Sequence, residues 1–146
     1  TPLGLLPELH TLCVSAALDG CRRHGVGPSA TALVLAAHGS ARSAKSAEAA
    51  QIATAHIASA GRFRKVVPAY VEEAPFLGEV FAALSGPALC LQFFATAADH
   101  VRVDLPDAGA ECRRSIPILP HIGSHPKIPA LLAGHIRRCL TVAASV

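Results

Sequence analysis

A histidine directly follows an apolar run of the chain, in the tripeptide His38-Gly39-Ser40. An imidazole titrates near neutral pH and binds transition metals, so it can hold a metal ion or move protons there. Gly39 permits an unusual turn, and Ser40 can cap the following helix while its backbone amides face a ligand. Taken alone, the tripeptide fits a histidine at a helix entry without any chemistry equally well.

A second histidine and a pair of carboxylates occupy similar places further along the chain. Asp99 and His100 follow one apolar run, and Glu72 and Glu73 follow another. A neighbouring carboxylate can orient an imidazole and fix its tautomer. Glu72 can assist metal delivery or accept a proton, whereas Glu73 lies near a predicted helix start, where negative charge is favourable. A lone loop histidine is more often structural than metal-binding, so the sequence around His100 needs further support.

Strands and helices are predicted to alternate along the chain. Apolar runs predict four strands, at Thr31–Ala37, Phe63–Val71, Ala88–Phe94 and Ser115–Leu119. Helical periodicity and breakers predict helices over Leu9–His24, Ser43–Ala60, Pro75 to about Leu84, a stretch near Leu105–Ala110, and Ile128–Leu140. Pro68 favours an edge position or a bulge for its strand. The fold class is therefore α/β, a three-layer domain with a parallel four-stranded sheet flanked by helices.

The predicted sheet explains why the candidate residues belong together. In an open parallel sheet the ligand site lies beyond the carboxyl ends of the strands. His38, Glu72 and His100 each follow such an end. We therefore expect these three side chains to meet at one edge of the sheet.

The composition limits the classes of partner. Apolar residues make up 51% of the 146 residues and charged residues 16%, with a net charge of +3, so nothing resembles a nucleic-acid footprint. No apolar stretch approaches the roughly 20 residues of a membrane span. Five scattered cysteines without an export signal predict a reduced, cytoplasmic protein. The apolar excess can also cover an interface with a second domain or subunit.

The two ends of the chain resemble each other. Leu3–Leu12 and Ile122–Leu131 share a glycine, a proline and a leucine at matching places, 119 residues apart, and a predicted helix follows each. Residues 1–29 are accordingly predicted to be a helical N-terminal segment, the tail of a preceding repeat, and residues 30–146 an α/β domain. Chance recurrence of a turn and a helix start is the alternative explanation.

Four segments in order resemble the class II chelatases, a family that includes sirohydrochlorin cobaltochelatases and ferrochelatases. They are LVLAAHGS at Leu33–Ser40, AYVEEAP at Ala69–Pro75, the stretch Ala88–Pro106 with its histidine and D-L-P, and GSHP at Gly123–Pro126. The resemblance covers roughly Ala32–Arg138. It implies a lyase that inserts a divalent metal, Co²⁺ with Fe²⁺ or Ni²⁺ as further candidates, into sirohydrochlorin or a related tetrapyrrole, with no organic cofactor.

The resemblance also assigns roles to residues. His38 and His100 match the metal-binding histidines of the family, and Glu72 matches its carboxylate, so these three are the expected catalytic residues. Residues near the site are expected to contact the acidic macrocycle: Ser40, Arg42, Arg102 and, at the rim, Lys45. A homodimer or a tandem second domain is expected to complete the site. His121, His125 and His135 match no ligand and are interpreted as structural or surface residues.

Two departures from the family pattern bear on activity. Ala97, Ala98 and Asp99 stand where a glycine is usual, and Gln92 stands where a proline is common. A non-catalytic metal- or tetrapyrrole-binding domain, a degenerate half of a tandem chelatase, is therefore the alternative function. A hydrolase or phosphatase using His38 is disfavoured, because no arginine precedes it and no G-x-S-x-G occurs. Glycine-rich phosphate-binding motifs are absent too.

Overall fold

The fold is built on a parallel sheet, seen in a computed structural model that describes residues 2–40, 44–96 and 115–145. Its strands are β1 (Ala32–Ala37), β2 (Lys65–Tyr70) and β3 (Ala88–Gln92), and their spatial order is β2-β1-β3. Both neighbours pair with β1 in parallel. The sheet confirms the predicted α/β class, and Pro68 does lie in an edge strand.

The predicted fourth strand, Ser115–Leu119, is wrong as a strand, and the sheet has three strands in the described part of the chain. Only Ile118 bridges β3, opposite Cys90. The backbone amide of Cys90 donates to the carbonyl oxygen of Pro117 at 2.9 Å, and the Leu119 amide donates to the carbonyl oxygen of Cys90 at 2.8 Å. The pairing does not extend to the preceding residues, because Pro117, next to the bridge, has no N–H to donate to β3.

A side chain continues this contact where the backbone pairing stops. The amide nitrogen of Gln92 donates to the carbonyl oxygen of Leu119 at 2.7 Å, and Gln92 is buried. A proline at this position could not make that bond. The glutamine therefore ties the end of β3 to the bridging segment.

Four helices accompany the strands in the described residues: α1 (Pro7–His24), α2 (Ala44–Ser59), α3 (Leu77–Ala83) and α4 (Ile128–Ala144). None of them is both long and apolar enough to cross a membrane. Pro7 opens α1 and Gly25 closes it in the left-handed conformation, at φ 64°. The helix predicted near Leu105–Ala110 lies outside the described residues.

The start of α3 differs from the prediction, which placed Pro75 as the first helical residue. The carbonyl of Pro75 accepts a hydrogen bond from the Tyr70 amide at 2.9 Å, and Phe76 forms a bridge with Tyr70. These residues extend the pairing of β2, so the helix begins only at Leu77.

Side chains of β1 alternate between two apolar layers. Leu33 and Leu35 are fully buried against α1 and α2, whereas Val34 lies in the layer that contains Phe81 of α3. Every residue of β1 is buried, as expected for a central strand with helices on both faces. The sheet is thus the middle of three layers.

The two similar ends of the sequence fold into the same succession of elements. A single 3-10 turn at Leu3–Leu5 precedes α1, and another at Ile122–Ser124 precedes α4. The first helix packs on the sheet formed by residues 32–92. The boundary between residues 29 and 30 stays a prediction.

The loss of stability on truncating a leucine to alanine should depend on how deeply that leucine is buried. We expect Leu35→Ala, in the fully buried face of β1, to lower the free energy of unfolding by about 2–5 kcal/mol. Leu140→Ala, on the exposed side of α4, should change it by less than about 0.5 kcal/mol. Urea unfolding followed by circular dichroism measures both, and equal losses would contradict the assigned core.

Candidate functional site

The turn after β1 brings His38 to the carboxyl edge of the sheet. Gly39 takes a φ of +69°, in the left-handed region that favours glycine. A Cβ atom at this position would lie 2.8 Å from Cγ of Glu73 and 3.0 Å from Cβ of Tyr70. Both the backbone conformation and the lack of space therefore require glycine between His38 and Ser40.

Glu73 holds this turn from the neighbouring strand. Its Oε1 accepts a hydrogen bond from the Ser40 amide at 2.7 Å. Burial raises the pKa of the Tyr70 phenol, and the Glu73 charge raises it further. Sequence reasoning missed this role and placed Glu73 at a helix start. The available signal was the glycine turn, whose exposed amide needs an acceptor.

Glu72 faces the imidazole of His38. Its Oε2 lies 3.6 Å from Nδ1 of His38, within ion-pair distance but longer than a hydrogen bond. The Glu72 amide also donates to the His38 carbonyl at 3.0 Å, which continues the pairing of the two strands. A carboxylate beside Nδ1 favours the tautomer that carries its proton there, so that the lone pair lies on Nε2.

An apolar cleft opens beside His38, with a volume of about 300 Å³. Phe93 and Phe94, which follow β3, line it. The Phe94 ring meets the His38 ring edge to face, with centroids 6.5 Å apart. An imidazole at the rim of an apolar cleft can present a metal ion or accept a proton next to a flat apolar ligand.

The remaining walls come from the two similar ends of the chain, because Gly4 and Gly123 both line the cleft. Nε2 of His10 lies 2.8 Å from the carbonyl oxygen of Gly4, which anchors the first 3-10 turn. The Gly123 amide donates to the Phe94 carbonyl at 3.0 Å. A Cβ atom at Gly123 would lie 1.9 Å from the oxygen of Ala95. The sequence repeat signalled these glycines, but its connection with the site was missed.

Several predicted site residues lie outside the described part of the chain, namely His100, Arg42, Arg102 and Asp99. The structure brings together His38 and Glu72, with Ser40 beside them, and Lys45 is exposed at the start of α2. Within residues 2–40, 44–96 and 115–145, no group of three or more histidine, cysteine or acidic side chains could hold a metal ion.

The buried cysteines are not suited to metal binding. Burial raises the pKa of the Cys13 and Cys90 thiols to about 12 and also raises that of Cys21. Since the thiolate is the ligand form, these neutral thiols serve as small apolar side chains. Cys139 is exposed on α4, and all four of these cysteines are free.

A second, larger cleft of about 530 Å³ lies between α1 and the segment before α4. Arg22 lines it and is paired with Asp19 on the same helix. His121 and His125, which sequence reasoning interpreted as structural or surface residues, also line this cleft. No residue from the carboxyl ends of β1 or β2 reaches it, so the chemistry is assigned to the cleft at His38.

Comparison with known proteins points to one family. A family model described as CbiX matches residues 32–139. The solved structure of CbiX, the terminal enzyme of siroheme biosynthesis in denitrifying bacteria, is similar at 35% sequence identity and a TM-score of 0.85. The match covers 94% of this chain and 60% of that one, so the chain spans about 60% of the length of this relative. A search of curated proteins found no match.

Two more distant structures share the fold. A multi-domain protein of Deinococcus radiodurans with structural similarity to chelatases matches at 20% identity and a TM-score of 0.76, over 92% of this chain and 30% of that one. SirB from Bacillus subtilis, solved with Fe³⁺, matches at 15% identity and a TM-score of 0.69, over 87% of this chain and 53% of that one.

Removing one or the other of the two adjacent carboxylates should change the stability of the protein by different amounts. Glu73→Ala removes the acceptor of the Ser40 amide and should lower the free energy of unfolding by about 1–2 kcal/mol. Glu72→Ala, an exposed side chain without such a bond to the turn, should change it by less than about 0.5 kcal/mol. Thermal and urea unfolding compare the two. A larger loss for Glu72→Ala would refute this division of roles.

Proposed function

This chain belongs to the CbiX family of chelatases, and from that premise we propose that it inserts a divalent metal, Co²⁺ or Fe²⁺, into sirohydrochlorin or a related tetrapyrrole. One observation carries the proposal: Nδ1 of His38 lies 3.6 Å from Oε2 of Glu72 at the rim of an apolar cleft. An imidazole and a carboxylate supply a metal ligand and a proton acceptor, which are the two groups that metal insertion needs.

The cleft suits one face of a flat macrocycle. Phe93 and Phe94 offer apolar surface beside the imidazole, and Gly4 and Gly123 line the cleft as well. The carboxylates at the edge of the macrocycle require cationic partners. We assign this role to Arg42, Lys45 and Arg102, with Ser40 at the turn.

The metal is a substrate in this reaction. We propose that Nε2 of His38 binds it first and that His100 supplies the second imidazole. Nitrogen ligands suit cobalt, iron and nickel, and the order of their affinities does not itself select among them. Supply of the metal, together with the shape of the complete site, would then decide which ion is inserted.

Proton removal accompanies insertion. The ring gives up two pyrrole N–H protons as its nitrogens bind the divalent ion, so two protons are released and the net charge of the macrocycle stays the same. Glu72 can take one proton directly, and an imidazole can take the other once it has passed on the metal.

A second domain or subunit is part of the proposal. The chain matches only 60% of CbiX, and the cleft described here is open to solvent on one side. A partner, as a tandem domain or a homodimer, would enclose the macrocycle and exclude water. The free cysteines accord with a reducing, cytoplasmic setting. If the partner alone carries the chemistry, this chain is a non-catalytic binding half.

Metal insertion is the direct test. Sirohydrochlorin is mixed with Co²⁺ or Fe²⁺ under anaerobic conditions, and the change in absorbance of the macrocycle is followed. We expect His38→Ala to lower the rate at least about 100-fold because a metal ligand is lost. His24→Ala, at an exposed histidine that ends α1 and does not line the cleft, is the matched control and should keep the wild-type rate.

Circular dichroism must show that both variants are folded. Wild-type protein that binds the macrocycle and the metal without inserting it would establish the non-catalytic alternative. Wild-type protein that binds neither would refute both functions.

Glu72→Gln separates proton transfer from metal binding. The amide keeps the size of the side chain but accepts protons poorly, so we expect kcat to fall roughly 10- to 100-fold with little change in metal affinity. Steady-state kinetics and isothermal titration with Co²⁺ measure the two effects. An unchanged kcat with weakened Co²⁺ binding would show instead that Glu72 is a metal ligand.

A further inference from the structure

The cleft between α1 and the segment before α4 is larger than the cleft at His38, at about 530 Å³ against about 300 Å³. A volume of this order accommodates a small organic molecule. Much of its wall is apolar, and this part is formed by Ala16, Leu91, Leu119, Pro120, Ile122 and Pro126. A ligand that fits this cleft therefore needs an apolar body.

The histidine in the wall next to Pro126 has a defined tautomer. Nδ1 of His125 accepts a hydrogen bond from the backbone amide of Lys127 at 3.2 Å. An imidazole that accepts a hydrogen bond through one nitrogen carries its proton on the other. Nε2 of His125 therefore bears the N–H group, and this group is a hydrogen-bond donor.

A second histidine in the wall, His121, favours the same tautomer. Its Nδ1 is buried and has no hydrogen-bond partner within the described ranges 2–40, 44–96 and 115–145. A buried N–H without an acceptor is rarer in proteins than a buried acceptor without a donor. The proton is therefore favoured on Nε2, so both rings offer a donor to a ligand.

Two arginines in the last turn of α1, Arg22 and Arg23, complete the polar part of the wall. A guanidinium group is always charged and only donates hydrogen bonds. The carboxylate of Asp19 also lines the cleft, but it is paired with Arg22. The two side chains of this pair are 49% and 70% exposed, so the pair contributes little and leaves Arg22 able to bind an anion as well.

We propose that this cleft binds an organic anion with an apolar body and a carboxylate, sulfonate or phosphate group. The guanidinium groups of Arg22 and Arg23 hold the acidic group, because planar donors suit its oxygens, and the two imidazoles supply further donors. The apolar body lies against Leu91 and Leu119.

This site is separate from the cleft at His38. Among the described residues that line the two clefts, only Ile122 is common to both. The acidic side chain of the other cleft, Glu72, is absent from this one. Binding of the anion therefore does not depend on the proposed metal chemistry, and either can fail without the other.

Two fluorescent probes that differ by one charged group test the site. One is 8-anilinonaphthalene-1-sulfonate, and the other is N-phenyl-1-naphthylamine, which has the same aromatic body without the sulfonate. We expect the protein to bind the sulfonate at least about tenfold more tightly in fluorescence titrations, because charge-assisted hydrogen bonds are gained. Equal affinities for the two probes would overturn the proposal.

Removing the charges should remove this preference. The double variant Arg22→Gln, Arg23→Gln should bind the sulfonate roughly tenfold more weakly and the uncharged probe within about twofold of the wild type. Arg62→Gln is the matched control, since Arg62 is exposed and lines neither cleft, and it should change neither affinity. A sulfonate affinity that survives in the double variant, or that falls equally in the control, would contradict the assigned role of the arginines.

One substitution made in each cleft locates the probe. Ala16→Trp fills the cleft between α1 and the segment before α4, and Ala49→Trp fills the cleft at His38. We expect Ala16→Trp to weaken sulfonate binding at least about tenfold and Ala49→Trp to weaken it less than about twofold. Circular dichroism checks that both are folded, and Pro126→Trp, at an exposed position of the same wall, replaces Ala16→Trp if that variant is not.

Two results would place the probe elsewhere. Binding that is lost in Ala49→Trp and kept in Ala16→Trp would place it at His38. Binding that is lost in Leu140→Glu would place it on α4, where Leu140 is 65% exposed. Either result would overturn the proposal.

Discussion

Three parallel strands end at one edge of the sheet, and the groups of the site take their positions from that edge. The central strand, β1, is buried along its whole length, so it cannot shift without exposing apolar side chains. Its first residue beyond the sheet is His38, and hydrogen bonds from Val71, Glu72 and Phe93 continue the pairing on both sides of it. The imidazole therefore directly follows a buried strand that is paired on both sides, and a rigid element of this kind positions a metal ligand well.

The adjacent residues Glu72 and Glu73 make different contacts at this edge of the sheet. Glu73 points back to the Ser40 amide and fixes the turn, while Glu72 points to the imidazole. The turn itself requires Gly39, whose positive φ and closeness to Glu73 leave no room for a side chain. The first of these two consecutive carboxylates thus faces the imidazole, and the second holds the turn.

Sequence reasoning found the elements whose cause is local. Apolar runs revealed β1, β2 and β3, and the glycines after α1 and α2 marked their ends. The prediction of a fourth strand was wrong because Pro117 stops the ladder after one bridge. That prediction rested on the apolar run and did not consider the proline within it. The start of α3 failed because Pro75 pairs with Tyr70, a contact that no local propensity reports. Similarly, His38 and Glu72 followed from strand ends, whereas the roles of His10 and Gly123 depend on packing between distant segments.

The central claim is that His38 binds the metal to be inserted, and X-ray absorption at the cobalt edge of the Co²⁺-loaded protein tests it most directly. We expect nitrogen neighbours at about 2 Å with the outer-shell scattering of imidazole. His38→Gln, which keeps a side chain of similar size, should lose one imidazole from the spectrum. Spectra that are identical for the wild type and His38→Gln, or that show only oxygen neighbours, would contradict it.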